Sequence, residues 1–248
     1  MTPRLLLGAG LGALLGLLWG EPALAQSVTL DLGTEELGPT TSRLVQLIAL
    51  VTILSLAPSI LVMVTSFTRI VVVLSFLRSA LGVQQTPPNS VLVSLALFLT
   101  LFIMMPTLQA VYDQALQPLF EEEVDERQAV ELAAAPVRDF MLGHVRAQDL
   151  ELFIEISDTE DLATPDDTPM RALIPAFMIS ELRRAFEIGF LLFLPFLIID
   201  LVVASILMSM GMLMLPPIMI SLPFKLIFFV LVDGWYLVAG SLVQSYGL

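Results

Sequence analysis

Between Ile188 and Leu248 only three side chains carry a formal charge: Asp200, Lys225 and Asp233. In so apolar a stretch these are the first candidates for chemistry, because a charge at the bilayer centre costs roughly 2.5–3.5 kcal/mol on insertion scales. A turn at Pro216-Pro217 would place Asp200 and Asp233 at equal depth on facing helices, where two carboxylates resist simultaneous ionisation. The pair is then proton-sensitive, or a docking point for a neighbouring subunit's cation. The competing reading is that each carboxylate satisfies backbone groups at a helix break. Lys225, just after Pro223, is either a lysine snorkelling to the interface or half of an inter-subunit salt bridge.

The segment LMSMGMLMLPP, 207–217, places Met208, Met210, Met212 and Met214 at every second position around Gly211 and ahead of Pro216 and Pro217. Steps of two rotate by about 200° on a helix but keep to one side of an extended chain. Gly211 and the two prolines favour local irregularity. Methionine is unbranched, polarizable and adaptable, so one such face repeated around an axis would close a pore with a soft apolar ring, as hydrophobic constrictions do. Ordinary core filling is the alternative, and on the residues alone the preferred one.

Other chemistries are excluded by residue type. The chain has no cysteine and one histidine, His144, which removes thiol, Fe–S and multi-histidine metal sites. No P-loop is present, and no basic cluster suggests nucleic acid. No cofactor is expected.

The elements that position these residues follow from composition. Of 248 residues, 57% are hydrophobic and 14% charged, with mean hydropathy +0.90; a soluble domain would be about a quarter charged. Apolar runs long enough for a ~30 Å hydrocarbon core recur, so the expected class is an all-α integral membrane protein. It would have two long helical hairpins with interrupted helices, and an acidic helical insertion. The net charge of −13 resides in Asp113–Asp167, with sixteen acidic and three basic residues. This marks a water-exposed segment between membrane segments.

Along the chain, Arg4, the apolar Leu5–Trp19 and the A-x-A site ending at Ala25, before Gln26, read as a cleavable signal peptide, 1–25. An extracytoplasmic segment occupies 26–43 and a first hairpin 44–112. Within that hairpin Arg69 and Arg78 mark a turn as cytoplasmic, and Pro106 ends a short run from Val91. The acidic insertion, 113–170, reads as one helix over Glu121–Ala135 and a second starting at Pro136. In the latter Val137, Phe140, Met141, Val145, Leu152 and Ile156 recur as an apolar stripe. A second hairpin, 171–248, carries the methionine loop, with Glu181 and Glu187 flanking Arg183 and Arg184. Arg69, Arg78 and Glu181 join Asp200, Lys225 and Asp233 as candidate intramembrane charges or subunit contacts. Broken apolar runs and charges at membrane depth survive only where protein or water covers them, so an oligomer is expected.

The stretches PAFMISELRRAFEIGF, 175–190, and PFKLIFFVLVDGW, 223–235, closely resemble the two signatures of the FliP/SctR family of type III export-gate proteins. Met208, Gly211, Met212, Met214, Pro216 and Pro217 fall where that family has its Met-rich loop and double proline, with Met210 a looser match. Arg69, Arg78, Ala80, Leu81, Gly82 and Pro87-Pro88-Asn89 resemble its first hairpin. Phe140, Met141, Leu142, Arg146, Asp149, Leu150 and Phe153 resemble its periplasmic helix.

The resemblance implies a non-enzymatic subunit of a helical pore complex in the bacterial inner membrane, within the flagellar basal body. Five copies would join FliQ-like and FliR-like subunits, next to FlhA-like and FlhB-like export components. Unfolded rod, hook and filament subunits would pass through the pore, sealed when closed by a methionine gasket. This reverses the preference for core filling. An injectisome-type export subunit is the nearest alternative, and the signal peptide favours the flagellar form. A proton-coupled channel using Asp200 and Asp233 is weakened by the lack of an internal repeat, and no residue pairing supports a membrane enzyme.

Overall fold

The computed structural model describes residues 37–83, 85–157, 168–212 and 214–247. The cleavage site at Ala25 and Gln26 lies outside them, as does most of the loop after residue 157. The chain divides into two compact units at Leu54 and Ser55. Of the first, the described part is the N-terminal portion of helix α1, Leu37–Val64. Everything below concerns the second.

The regular elements of the described residues are all helices, without strands. After α1 come α2, Phe67–Ala80, and α3, Asn89–Val111. A π-helical turn over Tyr112–Leu116 leads into the short α4, Gln117–Phe120. The acidic segment forms α5, Glu126–His144, and α6, Ala147–Ile156. Then follow α7, Met170–Ser209, α8, Pro217–Leu231, and α9, Gly234–Gln244. Two continuous rods are long and apolar enough to cross a membrane, Asn89–Phe120 and Met170–Ser209. The bent pair α8 and α9, which meet at 62°, passes the same test of length and composition when taken together.

Three expectations change. The stretch carrying Arg69 and Arg78 is helical, not a turn, and α2 is the most buried element. Ile70, Val73, Leu74 and Leu77 recur at helical spacing and are at most 1% exposed, so periodicity outweighs the two charges. Pro106 does not end its helix. Proline removes one backbone hydrogen bond, a defect that apolar helices tolerate when neighbours and local adjustments re-satisfy the freed groups. The rod runs on through the π-helical turn, where such wider turns are commonly found inserted in α-helices. Pro136 does not start a helix either. Asp125 does, through a capping box: its carboxylate accepts from Gln128 N at 2.7 Å, and its own N–H reaches Gln128 Oε1 at 3.3 Å. That box satisfies two of the orphan donors of the first turn, and Pro136 is carried inside α5.

The main core joins α2 to Leu92, Ala96, Leu99 and Ile103 on one face of α3, and to Ala185, Phe196, Phe229, Val238 and Leu242. A smaller cluster of Met141, Leu173 and Phe177 seats α5 on the N-terminal half of α7, with Val137, Phe140 and Val145 against it. The expected apolar stripe is thus used in its first four residues only: Leu152 and Ile156 stay 47% and 67% exposed. Between helices in hydrocarbon, apolar contact releases no water, so association rests on van der Waals packing and interhelical polar contacts. The polar contacts of this chain cluster at its candidate site residues.

Candidate functional site

Helix α7 ends in a Schellman motif, which fixes the methionine loop. Gly211 N–H donates to Met208 O at 3.1 Å and Met212 N–H to Leu207 O at 3.0 Å, with Gly211 at φ +75°. Only glycine takes that left-handed conformation without Cβ strain, and the two bonds satisfy the last helical carbonyls. Pro217 then opens α8 at its first position, where the missing N–H costs nothing. Met208 and Met210 therefore have helical backbone, and an extended run does not line up the four side chains. All four are nevertheless exposed: Met208 59%, Met210 66%, Met212 40% and Met214 98%. They fill no core within the chain. Leu213 lies outside the described residues.

The motif also shifts the hairpin register. Turning at Gly211–Met212 brings Asp200 opposite Ser221 and Lys225, not opposite Asp233. Asp200 Oδ2 accepts from Lys225 Nζ at 2.6 Å and Asp200 Oδ1 from Ser221 Oγ at 2.6 Å. Lys225, 2% exposed, donates in addition to Ala80 O at 3.1 Å, a carbonyl of the last turn of α2. A cation is favoured there by the helix dipole. Lys225 is thus buried and does not snorkel; it ties α8 to α7 and α2 within one chain. Asp233 is exposed at the break between α8 and α9, at φ +51°, and its side chain makes no capping bond. Neither reading of the two carboxylates is met: Asp200 is held by side chains instead of forming a pair with Asp233 or satisfying backbone groups, and Asp233 makes no cap.

Arg69 and Glu181 make the second polar knot, 112 residues apart and both 0% exposed. Arg69 Nε donates to Glu181 Oε2 at 2.9 Å, and Nη2 donates to Oε1 in the same fork. Such bidentate geometry is the strong form of the interaction. Arg69 Nη1 donates to Ser245 Oγ at 2.9 Å, and its guanidinium stacks 3.8 Å from the Tyr246 ring centroid. The Tyr246 hydroxyl donates to Glu181 Oε2. Burial, and next the Glu181 carboxylate, push this phenol above its ordinary range, so it holds its proton. The knot ties the C-terminal end of the chain to α2 and α7. Arg78, in the last turn of α2, reaches the start of α3, donating to Asn89 Oδ1 and, at 3.5 Å, to Pro87 O. His144 closes α5, its Nδ1 at 2.7 Å from Phe140 O and its ring against Tyr246.

Sequence reasoning missed Ser221, Ser245 and Tyr246. The available signal was general: a charge within an apolar helix demands partners, and hydroxyls on neighbouring helices are the cheapest. Among the described residues no group of three or more His, Asp or Glu is placed to hold a metal ion.

Comparison with known proteins places the chain in a family. A model described as the FliP family matches residues 50–242. The flagellar biosynthetic protein FliP of Caulobacter vibrioides is 61% identical over 225 residues, 90% of this chain and 84% of that protein. That of Bacillus subtilis is 53% identical over 205 residues, 83% and 93% of the two chains. The Aquifex aeolicus protein is 54% identical over 204 residues, 82% and 85%. With the match running from within α1 to within α9, and so across the methionine loop, the contacts of Asp200 with Ser221 and Lys225, and both Arg69 and Glu181, the chain belongs to the FliP family.

Proposed function

We propose that this chain is a pore-forming subunit of the flagellar type III protein export gate. Several copies, five by the family resemblance, surround an axis together with FliQ-like and FliR-like subunits, beside FlhA-like and FlhB-like components. Unfolded rod, hook and filament subunits pass along that axis across the inner membrane. The carrying observation is the set of four thioether side chains exposed at the apex between α7 and α8. A single chain leaves them uncovered, and a ring of them is apolar and compliant enough to seal around nothing or around a passing chain. The naming of the relatives as flagellar biosynthetic proteins supports the flagellar assignment.

The charged residues take structural parts in this reading. Asp200 is neutralised by Lys225 and hydrogen-bonded to Ser221, which leaves no free carboxylate pair for a proton path. Replacing Met212 and Met214 together with alanine is expected to raise ion conductance in cells expressing the assembled gate, while co-purification with partner subunits persists. Unchanged conductance with normal assembly rejects the gasket.

A further inference from the structure

A recess of about 400 Å³ opens beside the buried Arg69–Glu181 pair, lined by Arg69, Arg146, Arg184, Glu187, Ile188 and Ser245. Three guanidinium groups on one small wall repel each other unless something negative joins them. Arg69 is fully engaged by Glu181 and Ser245. Arg146 is engaged only in part: its Nη2 donates to Gln148 Oε1 at 2.9 Å and it pairs with Asp149 at 3.8 Å, but its Nη1 is shielded from solvent without a hydrogen-bond partner. Asp149 itself accepts a hydrogen bond from Ser180 Oγ at 2.7 Å. Arg184 has neither hydrogen bond nor ion pair among the described residues, and Glu187 is held by Arg183 at 3.1 Å. The Nη1 of Arg146 and the guanidinium of Arg184 thus have donors to offer a ligand, and a buried guanidinium nitrogen without an acceptor is costly.

The position of the recess identifies the ligand. Arg184 and Glu187 are the last charged residues on α7 before the apolar run that starts at Ile188 and extends to Ser209, interrupted only by the paired Asp200. Leu191, Ile198, Leu201 and Ile206 on that run are all more than half exposed. If that half of the helix lies in hydrocarbon, the recess lies at the level of the phosphates of the lipid headgroups. Guanidinium forks match phosphate oxygens in geometry as well as charge, and basic pockets between membrane helices take anionic headgroups. We propose that Arg146 and Arg184 bind the phosphate of an anionic phospholipid in this recess, with its acyl chains running along the exposed face of α7 below Ile188. This goes beyond the gate reading and does not depend on the methionines.

The test uses the full chain in a neutral detergent, with native mass spectrometry and added phosphatidylglycerol, phosphatidylcholine or inorganic phosphate. The expected result is preferential retention of phosphatidylglycerol, undiminished by excess inorganic phosphate. Arg184→Gln is expected to weaken that retention about tenfold, the size of one charge-assisted hydrogen bond. Arg146→Gln should act in the same direction, Arg184→Lys should recover part of the loss, and Arg171→Gln, an exposed charge elsewhere on α7, should leave retention unchanged. Because Arg184 has no partner among the described residues, its variants keep the fold and decide the matter alone if Arg146→Gln does not fold. Equal retention of the two lipids, or loss no greater for Arg184→Gln than for Arg171→Gln, overturns the proposal. So does displacement of phosphatidylglycerol by inorganic phosphate, which would make the recess a site for free anions.

Discussion

Arg69 and Glu181 show how a buried pair acts on stability. Taking two charges out of water is expensive, and their attraction repays it only with good geometry and further hydrogen bonds; here Ser245 and Tyr246 supply those. Removing one partner strands the other in a dry site. Glu181→Leu or Arg69→Met alone is therefore expected to cost about 3–5 kcal/mol, read as a shift in detergent-denaturation midpoints of the purified chain. The double variant should lose less than either single one, because no charge is then stranded. A double variant as unstable as the sum of the two would mean that the pair contributes nothing through coupling. Both residues are visible in the sequence as charges in apolar surroundings, but their pairing across 112 positions is not. Arg69 reads from local context as a charge that sets membrane orientation, whereas its burial takes it out of reach of the interface. Tyr246, near the chain end, carries no local sign that it closes the knot.

At the scale of elements, the helices were legible wherever a face repeats, as in the main core along α2 and α3. What local reading misjudged were the breaks. Local context reads Pro106 as a helix end and Pro136 as a helix start, yet both sit inside helices, while the true turn is set by Gly211 and its two backbone bonds. A four-to-five-residue error in the turn centre was enough to exchange Lys225 for Asp233 as the partner of Asp200. Close packing between elements is tested by glycines. A Cβ built on Gly189 of α7 comes within 2.6 Å of the ring of Phe76 on α2, and that ring is itself packed edge-on to Phe186, with centroids 5.0 Å apart. Gly189→Ala should therefore destabilise by about 1–3 kcal/mol, as overpacking does. Gly143, in the last turn of α5, meets nothing within 4 Å, so Gly143→Ala should be neutral or stabilise by up to about 1 kcal/mol. Thermal melts of the two variants in the same detergent check the contrast, and equal shifts would show that α2 and α7 are not in close contact there.

At the scale of the molecule, the informative length is that of α7. Its 40 residues make a rod of about 60 Å at 1.5 Å per residue, twice the ~30 Å hydrocarbon thickness. One helix must therefore pass through two environments, and its burial pattern divides accordingly. Ala172, Leu173, Ala176, Phe177, Ser180 and Glu181 are buried within the chain itself, covered in part by the acidic helices. Beyond Ile188 the surface is apolar and mostly open. Burial by its own chain suits a half that stands in water, and an open apolar surface suits a half that meets lipid or another subunit. The chain has no cysteine, so single cysteines report without background. Cysteine introduced at Arg171 or Arg183 should react with a charged, membrane-impermeant maleimide in membranes carrying this chain alone. Cysteine at Leu194, Leu197 or Leu201 should resist it, and should become reactive only once detergent or denaturant removes the surrounding apolar phase. Ready labelling at Leu197 and Leu201 in intact membranes would place that half of α7 in water, and would remove the membrane level on which the Arg146 and Arg184 site depends. Protection at all five positions would instead put the whole rod under cover and contradict the division drawn from its burial.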